Sequence, residues 1–370
     1  MTVHEVARAV RERYLQANRK GKAKILDEFC QTTGQHRKAA IRLLRQGVGG
    51  PHRKRGRPRR YGPEVVQALK QLWEVGDRMC GKLLVAVIAD LLEAMERHGE
   101  MAVTPPVRES LLSISAATID RLLSSTRRAI GRQPRRKSPA MTSLKAQIPI
   151  RTWSEWSEVE PGSIQADLVL HCGESTEGFY LTTLTAIDVA TGWVGLQPVW
   201  GMGKERVGAA LHHVRQRLPV PLRELHTDNG SEFINQTLRS WCLREGIASS
   251  RGRGYHKNDQ AYVEQRNWLG VRRRIGYDRY NSRAAYAAMQ RLYPLLSLHL
   301  NFFRPLSKLV SKERRGAKVT KRYDTPRTPY QRLLETGVLD ERTAVRLDRQ
   351  RQAINPAELQ GRIDNALRRL

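Results

Sequence analysis

The chain has 370 residues, with 65 Lys and Arg against 36 Asp and Glu, and a formal net charge of +29 at pH 7. This length supports two or three domains, and so large a positive excess indicates a polyanionic partner, of which DNA is the obvious one. No apolar run approaches the ~20 residues of a membrane-spanning helix, and the N-terminus lacks the apolar core of a signal peptide, so we expect no membrane partner and a cytoplasmic location.

Four cysteines, Cys30, Cys80, Cys172 and Cys242, are spread along the chain. None belongs to a Cys-x-x-Cys pair, and no His pair lies nearby at the spacing of a zinc site. This pattern indicates core or surface thiols in a reducing compartment, and we expect no zinc.

Residues 1–48 are predicted to form three helices, at 5–18, Lys22–Gln31 and Gln35–Gln46. The last two are joined by Thr32-Thr-Gly34, and a Gly-containing turn between short helices is typical of a helix-turn-helix DNA-binding domain. We interpret the third helix as a recognition helix for the major groove. The alternative is a plain helical bundle with a solvated basic face. The candidate DNA contacts are Lys38, Arg42 and Arg45.

Residues 49–62 form a basic linker, with six Lys and Arg among the eight residues from Arg53 to Arg60. Its Arg55-Gly-Arg-Pro58 run resembles the core of an AT-hook, an arm that lays arginines into a narrow minor groove. Arg55 and Arg57 are therefore candidate minor-groove contacts. General attraction to phosphates is the alternative, because short basic tetrapeptides are common.

A second helical, helix-turn-helix-like DNA-binding domain is predicted at 63–137, with helices at Glu64–Val75 and Leu83–Arg97. The hydroxyl of Ser115 is placed to cap a third helix, Ala116–Leu123, which again resembles a recognition helix. Its candidate DNA contacts are Thr118 and Arg121.

The segment 138–305 is predicted to alternate strands with helices. Its first strand, Ile164–Leu170, has apolar residues at alternate positions on one face, so that Asp167 lies mid-strand on the other face. Two further strands are predicted, Phe179–Ile187 and Trp193–Trp200, joined by a hairpin turn.

A fourth predicted strand runs into Thr-Asp228-Asn-Gly-Ser-Glu-Phe233, which leaves a carboxylate at a strand end, where open α/β sheets build their sites. Glu264 follows after 35 intervening residues, at the start of a predicted helix. An ideal helical wheel puts Glu264 and Asn267 on one mainly apolar face and Arg266 on the opposite side. A carboxylate on an apolar face is costly unless a cation or a donor compensates it.

Three carboxylates without matching His or Cys ligands suit hard, oxygen-preferring Mg²⁺ or Mn²⁺. Their order, with the Thr-Asp-Asn-Gly-Ser-Glu-Phe run, resembles the DDE catalytic core of insertion-sequence transposases and retroviral integrases over roughly residues 150–305. The resemblance implies an α/β RNase H-like core with a mixed five-stranded sheet, preceded here by all-α helix-turn-helix units. The catalytic and metal-binding residues that it implies are Asp167, Asp228 and Glu264.

The resemblance further implies a bacterial DNA transposase that cleaves DNA at element ends and joins it to target DNA, using two Mg²⁺ or Mn²⁺ ions per active site. Terminal-repeat and target DNA would be its partners, and we expect a homo-oligomer on that DNA. The N-terminus departs from retroviral integrases because it lacks their His/Cys zinc module. A catalytically silent DNA-binding regulator and an RNase H-like nuclease stay open as alternatives.

The glycine-containing loop Arg251–Lys257 is predicted to close over DNA beside the candidate site, and an ordinary flexible loop is the alternative. Three further candidate DNA contacts lie in and after it, and three other acidic residues rank below the chosen carboxylates. The contacts are Arg253, Lys257 and Arg272, and the lower-ranked acids are Asp188, Glu232 and Asp259.

Beyond the core, a helix is predicted at Ser282–Phe303 with an interruption at Pro294. Residues 306–370 are predicted to be basic and mostly helical, with 304–327 turn-rich and a helix starting at Asn355-Pro356. No pattern there supports a small β-barrel, and the role of this region stays open.

Overall fold

The structure is a computed structural model that describes residues 2–47, 60–130, 159–228, 230, 232–233, 235–251, 261–316 and 318–370. Contacts divide the chain into two compact units, Met1–Arg60 and Tyr61–Leu370. The predicted AT-hook residues Arg55 and Arg57 lie outside the described residues.

The first unit contains three helices, α1 (Val3–Gln16), α2 (Arg19–Thr33) and α3 (Arg37–Gln46). The second helix ends at Gly34, whose φ of 68° is the left-handed conformation that glycine adopts without strain. The three helices share a core, so the predicted helices are confirmed with small shifts of their ends. The core residues include Tyr14, Phe29 and Leu44, and the exposed residues of α3 include Lys38, Arg42 and Arg45.

The second helical segment begins the larger unit. Its third predicted helix is confirmed with the predicted cap, because the backbone N–H of Thr118 donates to the Ser115 hydroxyl at 3.3 Å. The helices of this segment are α4 (Pro63–Val75), α5 (Gly81–Arg97), α6 (Pro105–Leu112), α7 (Ala116–Leu122) and α8 (Ser124–Ile130).

These helices were predicted as a separate domain, 63–137, but the described part belongs to the same compact unit as the α/β core. The physical reason lies in the turn after α4, where the buried carboxylate of Asp77 contacts three arginines of the core. Arg273 and Arg274 each approach it at 2.8 Å and Arg304 at 2.9 Å. A buried carboxylate is tolerated because these charges compensate it.

The core is built on a five-stranded mixed sheet in the order β3-β2-β1-β4-β5. Strands β1 to β3 are antiparallel neighbours, whereas β4 and β5 run parallel to β1. The predicted RNase H-like core is therefore confirmed. The strands are β1 (Ser163–Leu170), β2 (Thr182–Asp188), β3 (Val194–Val199), β4 (Glu224–Thr227) and β5 (Ala248–Arg251).

Helices cover both faces of this sheet. The face of β1 that carries Ile164, Ala166 and Leu168 packs with α9 and α10, and Val169 faces the core formed with α11 and α13. The predicted alternation in β1 is confirmed, with Asp167 on the second face. The helices are α9 (Lys204–Arg217), α10 (Gln236–Arg244), α11 (Ala261–Arg266), a π-helix (Asn267–Arg272), α12 (Arg273–Ile275) and α13 (Arg283–Phe302).

The interruption predicted at Pro294 is wrong, because α13 continues through this residue. A proline inside a helix removes one N–H donor and crowds the preceding turn, at a cost of about 3 kcal/mol. The buried side chains of α13, among them Leu292, Tyr293 and Leu296, supply packing that outweighs this local cost.

The C-terminal region is mostly helical, as predicted, but its first part forms a two-stranded ribbon of β6 (Leu309–Arg315) and β7 (Lys318–Tyr323). This ribbon was not predicted, because its sequence is dominated by charge rather than by alternating apolar residues. No helix in the described part of the chain is long and apolar enough to cross a membrane. The helices that follow are α14 (Pro329–Glu335), α15 (Glu341–Ala353) and α16 (Pro356–Arg368).

Candidate active site

Strand register brings the two candidate aspartates together. Ala166 of β1 is paired in parallel with Thr227 of β4, and Asp167 and Asp228 are the next residues on their strands. The two aspartates therefore lie at neighbouring positions on adjacent strands, at the point where β4 ends. This is the carboxyl edge at which parallel strands carry their functional groups.

The carboxylate of Asp167 is half-buried and held by two donors. The backbone N–H of Leu168 donates to one carboxylate oxygen at 2.8 Å, and Nδ2 of Asn267 donates to the other at 2.6 Å. The two bonds fix the orientation of the Asp167 carboxylate between the sheet and the helix that carries Glu264.

Burial raises the pKa of Asp167 to about 7, and the negative charge of Asp228 is the next largest contribution. Glu264 raises the same pKa further, whereas the hydrogen bonds from Leu168 and Asn267 lower it. Negative charge is therefore concentrated at Asp167, and binding a proton or a cation would relieve it.

Asp228 has a similar environment, because burial raises its pKa. The backbone N–H of Gly230 donates to its carboxylate at 3.0 Å and opposes this rise. Asp228 therefore lies in a tight turn after β4, as the Asp-Asn-Gly sequence predicts.

Glu264 is exposed on α11, and the start of this helix is attached to β1. The backbone N–H of Val263 donates to Oε1 of the fully buried Gln165 at 3.3 Å. Gln165 lies two residues before Asp167 and therefore on the same face of β1. Sequence reasoning did not identify Gln165, although its polar side chain on the face of a candidate carboxylate was an available signal.

The helical wheel around Glu264 is wrong in one respect. Arg266 lies on the opposite side from Glu264, as expected, but that side is the buried one, and Arg266 is only 3% exposed. A π-helix starts directly after it at Asn267, so an ideal repeat of 3.6 residues applies to α11 but not to the residues that follow. Asn267, the first residue of the π-helix, contacts Asp167, whereas Glu264 on α11 is exposed.

Some of the predicted DNA contacts lie outside the described residues, and others form hydrogen bonds within the protein. Arg253 and Lys257 lie outside the described residues. Arg272 donates to the Leu170 carbonyl at 2.6 Å and so stabilises the core. In the short helix α7, Arg121 donates to the hydroxyl of the half-buried Thr118 at 2.9 Å. The DNA contacts of these residues stay predictions.

The three acidic residues ranked below the chosen carboxylates lie in different parts of the chain. Asp188 is 1% exposed and accepts hydrogen bonds from the backbone of Gly162 at 2.8 Å and from Thr191 at 2.9 Å, so it holds the β2–β3 turn. Asp259 lies outside the described residues, and Glu232 is half-buried in the turn after β4.

In the described part of the chain, no three His, Cys, Asp or Glu side chains lie in an arrangement that could hold a metal ion. Asp167, Asp228 and Glu264 are nevertheless close enough for both neighbours to raise the pKa of Asp167. They offer oxygen donors and a local excess of negative charge, which is the chemistry that Mg²⁺ and Mn²⁺ match.

Comparisons with known proteins find an integrase core domain in this part of the chain. The integrase core domain model matches residues 158–257. The uncharacterized protein y4rM of Sinorhizobium fredii is 43% identical over 328 residues, which cover 89% of this chain and 94% of that protein. The Pro-Pol polyprotein of simian foamy virus type 1 is 30% identical over 88 residues, covering 24% of this chain and 8% of the polyprotein.

Among solved structures, the catalytic core domain of BIV integrase aligns with a TM-score of 0.32 and 20% identity, over 48% of this chain and 95% of that one. The region matched by the integrase model includes Asp167 and Asp228 and ends before Glu264. The chain thus belongs to the same family as y4rM, and its residues 158–257 match the integrase core domain.

Proposed function

We propose that this protein is a DNA transposase that cleaves DNA strands at the ends of a mobile element and transfers them into target DNA. The observation that carries the proposal is the parallel register of β1 and β4, which puts Asp167 and Asp228 at neighbouring positions where β4 ends. The raised pKa of Asp167, with Asp228 and Glu264 as contributing charges, supports their proximity.

We propose that Asp167, Asp228 and Glu264 hold two Mg²⁺ or Mn²⁺ ions. The oxygen-only donor set and the crowded negative charge fit such ions. When bound, they supply Lewis-acid stabilisation of charge on the attacking and leaving oxygens of a phosphodiester.

The chain's own residues then have defined tasks. Asn267 and the N–H of Leu168 orient the Asp167 carboxylate, and Gln165 fixes the start of the helix that presents Glu264. Because phosphoryl transfer depends mainly on positioning and charge neutralisation, these contacts preorganise the site without a protein nucleophile.

Neither cleavage nor joining requires a covalent protein–DNA intermediate. In cleavage, a water oxygen bonds to phosphorus and the bond from phosphorus to the 3′ oxygen breaks, and this oxygen leaves as a 3′-OH. In joining, that 3′-OH attacks a target phosphodiester, and a target 3′ oxygen leaves and takes up the proton. Two element ends must be processed together, so we also propose that the protein works as a homo-oligomer on DNA.

The proposal is tested with purified full-length protein and labelled duplexes from both sides of its own coding region. We expect binding to one or both flanks, and Mg²⁺-dependent nicking that yields a 3′-OH and subsequent joining to a second duplex. Binding without nicking or joining in Mg²⁺ or Mn²⁺ would support a silent regulator. Cleavage of RNA strands alone would support a nuclease, and either result would overturn the proposal.

A further inference from the structure

The ribbon β6–β7 is the most exposed regular element of the larger unit. Of the residues from Lys312 to Arg322, every one whose side chain is described is exposed. Within the described part of the chain, the two strands form a sheet of their own that is separate from the five-stranded sheet. An isolated two-stranded ribbon is marginally stable in water, so this element needs support from elsewhere.

The base of the ribbon is held by its own backbone pairing and by an ion pair to α14. Leu306 and Arg327 exchange two backbone hydrogen bonds, at 2.9 and 3.1 Å. Above them, the N–H of Lys308 donates to Asp324 at 2.6 Å, and Asp324 pairs with the buried Arg332 at 2.7 Å. The ribbon is therefore a supported arm with a fixed root and a solvated end.

The charge of this arm is strongly positive. The stretch 309–323 contains six basic residues and one acidic residue. Strand register divides the described side chains between two faces, because directly paired residues lie on the same side. One face, which we call the Lys312 face, consists of Lys312, Arg314, Val319 and Lys321 and has no acid. The other carries Glu313, which lies 3.7 Å from Arg315.

The Lys312 face contains a pairing that weakens the ribbon. Lys312 is directly opposite Lys321 in the antiparallel register. Like charges at directly opposed positions destabilise a strand pair. A polyanion placed against this face would turn the repulsion into attraction to both ammonium groups.

We propose that the Lys312 face of the β6–β7 ribbon is a docking surface for duplex DNA. A two-stranded ribbon has the width that the major groove admits, and Lys and Arg side chains pointing from one face reach its phosphates. The aliphatic Val319 beside them adds apolar contact. This assigns the first part of the C-terminal region a role in holding DNA, and it rests on the proposed function only in taking DNA as the substrate.

The test compares two triple variants of the full-length protein. Lys312→Ala/Arg314→Ala/Lys321→Ala removes the cations of the Lys312 face. Arg362→Ala/Arg368→Ala/Arg369→Ala removes the same formal charge from exposed positions in and directly after α16 and serves as the matched control. Affinity for an element-flank duplex is measured without divalent metal at several salt concentrations.

The slope of log affinity against log salt is negative, and each lost phosphate contact reduces its magnitude by about 0.9. The ribbon variant, which loses three cations, is therefore expected to have a slope smaller in magnitude by about 2.7. The control variant should lose much less, and both should unfold at the wild-type temperature because the altered side chains are exposed. Protection of Lys312 and Lys321 from amine acetylation by bound duplex gives an independent readout in the unaltered protein.

Equal losses in both variants, or no protection of the two lysines on a duplex that the wild type binds, would overturn the ribbon proposal. The outcome is separate from the proposed function, because no step of the assay requires catalysis. A wild-type protein that binds DNA through the ribbon but never nicks it would overturn the transposase activity and leave the docking surface intact.

Discussion

Asn267 donates a 2.6 Å hydrogen bond from its side-chain amide to the carboxylate of Asp167, across a sequence separation of 100 residues. The bond joins the middle of β1 to the first residue of the π-helix. Since Glu264 lies one helical turn before Asn267, the contact ties two of the three candidate ligands into one frame.

Replacing Asn267 tests this frame. Asn267→Ala removes a hydrogen bond to a charged group, which contributes about 1.5–3 kcal/mol, so we expect nicking to slow by roughly one to two orders of magnitude. Asn267→Asp adds a fourth negative charge beside the candidate metal ligands and should lower the Mg²⁺ concentration needed for half-maximal nicking. Single-turnover nicking over a Mg²⁺ titration measures both effects, and duplex affinity should stay at the wild-type value. Unchanged nicking by both variants would mean that the bond has no part in the reaction.

Gln165 is expected to act through α11. Gln165→Met keeps the length of the side chain but removes the acceptor for Val263 N–H, and an unsatisfied buried donor costs about 1–3 kcal/mol. The start of α11 should loosen, and nicking should fall at least about tenfold. Gln197→Met removes an amide from β3 and is the control in nicking and thermal-unfolding assays. A similar loss in both variants would indicate a general effect on the sheet.

Asp77 is expected to be critical for the stability of the larger unit. Its φ of 58° is one that Asp, Asn and Gly adopt more readily than other residues. Asn in the Asp77→Asn variant therefore keeps the backbone conformation, and only the charge is removed. Breaking a buried ion pair costs about 3–5 kcal/mol, and we expect a loss of that size in denaturant unfolding. Glu335→Gln, at an exposed pair with Arg327, should cost at most about 1 kcal/mol. Equal midpoints for the two variants would contradict this role of Asp77.

Stability should also depend on pH through His299. Burial, with a contribution from Arg274, lowers the pKa of His299 from 6.5 to about 3, so the folded protein keeps it neutral. The unfolded chain takes up this proton below pH 6.5, and stability is therefore full above that pH and falls as pH drops towards 3. One such group contributes at most about 1.4 kcal/mol per pH unit.

Urea unfolding at pH 7.5, 5.5 and 4.5 measures this dependence, and His299→Gln should show a shallower loss than the wild type. Buried His171, whose pKa is also lowered to about 3, acts in the same direction in both proteins and cancels in the comparison. Parallel pH curves for the two proteins would rule out His299 as a source of acid sensitivity.

The sheet and the neighbouring positions of Asp167 and Asp228 follow from patterns that are local in sequence. Alternation in β1 puts Asp167 on the face opposite Ile164, and Asp228, which begins the Asp-Asn-Gly run, directly follows β4. Strand periodicity and turn chemistry depend on neighbouring residues, which is why the sequence alone predicts them.

Other features depend on partners that are distant in sequence. Arg266 is buried although it is charged, and nothing within its segment signals this burial or the π-helix that follows. The helical segment packs with the core through ion pairs of Asp77 with Arg273 and Arg304, which lie roughly two hundred residues later in the sequence. Tertiary pairing of this kind overrides local preference, so helix boundaries were predictable and the domain arrangement was not.

The central claim is that Asp167, Asp228 and Glu264 together form a metal-dependent DNA-cleaving site. Its most direct test is 3′-end nicking of an element-end duplex in Mg²⁺ by Asp228→Asn and Glu264→Gln, with duplex affinity measured in parallel and Glu232→Gln as the control. We expect both triad variants to lose at least about a thousandfold in rate while they bind DNA normally, and the control to nick at the wild-type rate. Wild-type nicking by Glu264→Gln or Asp228→Asn would contradict the account.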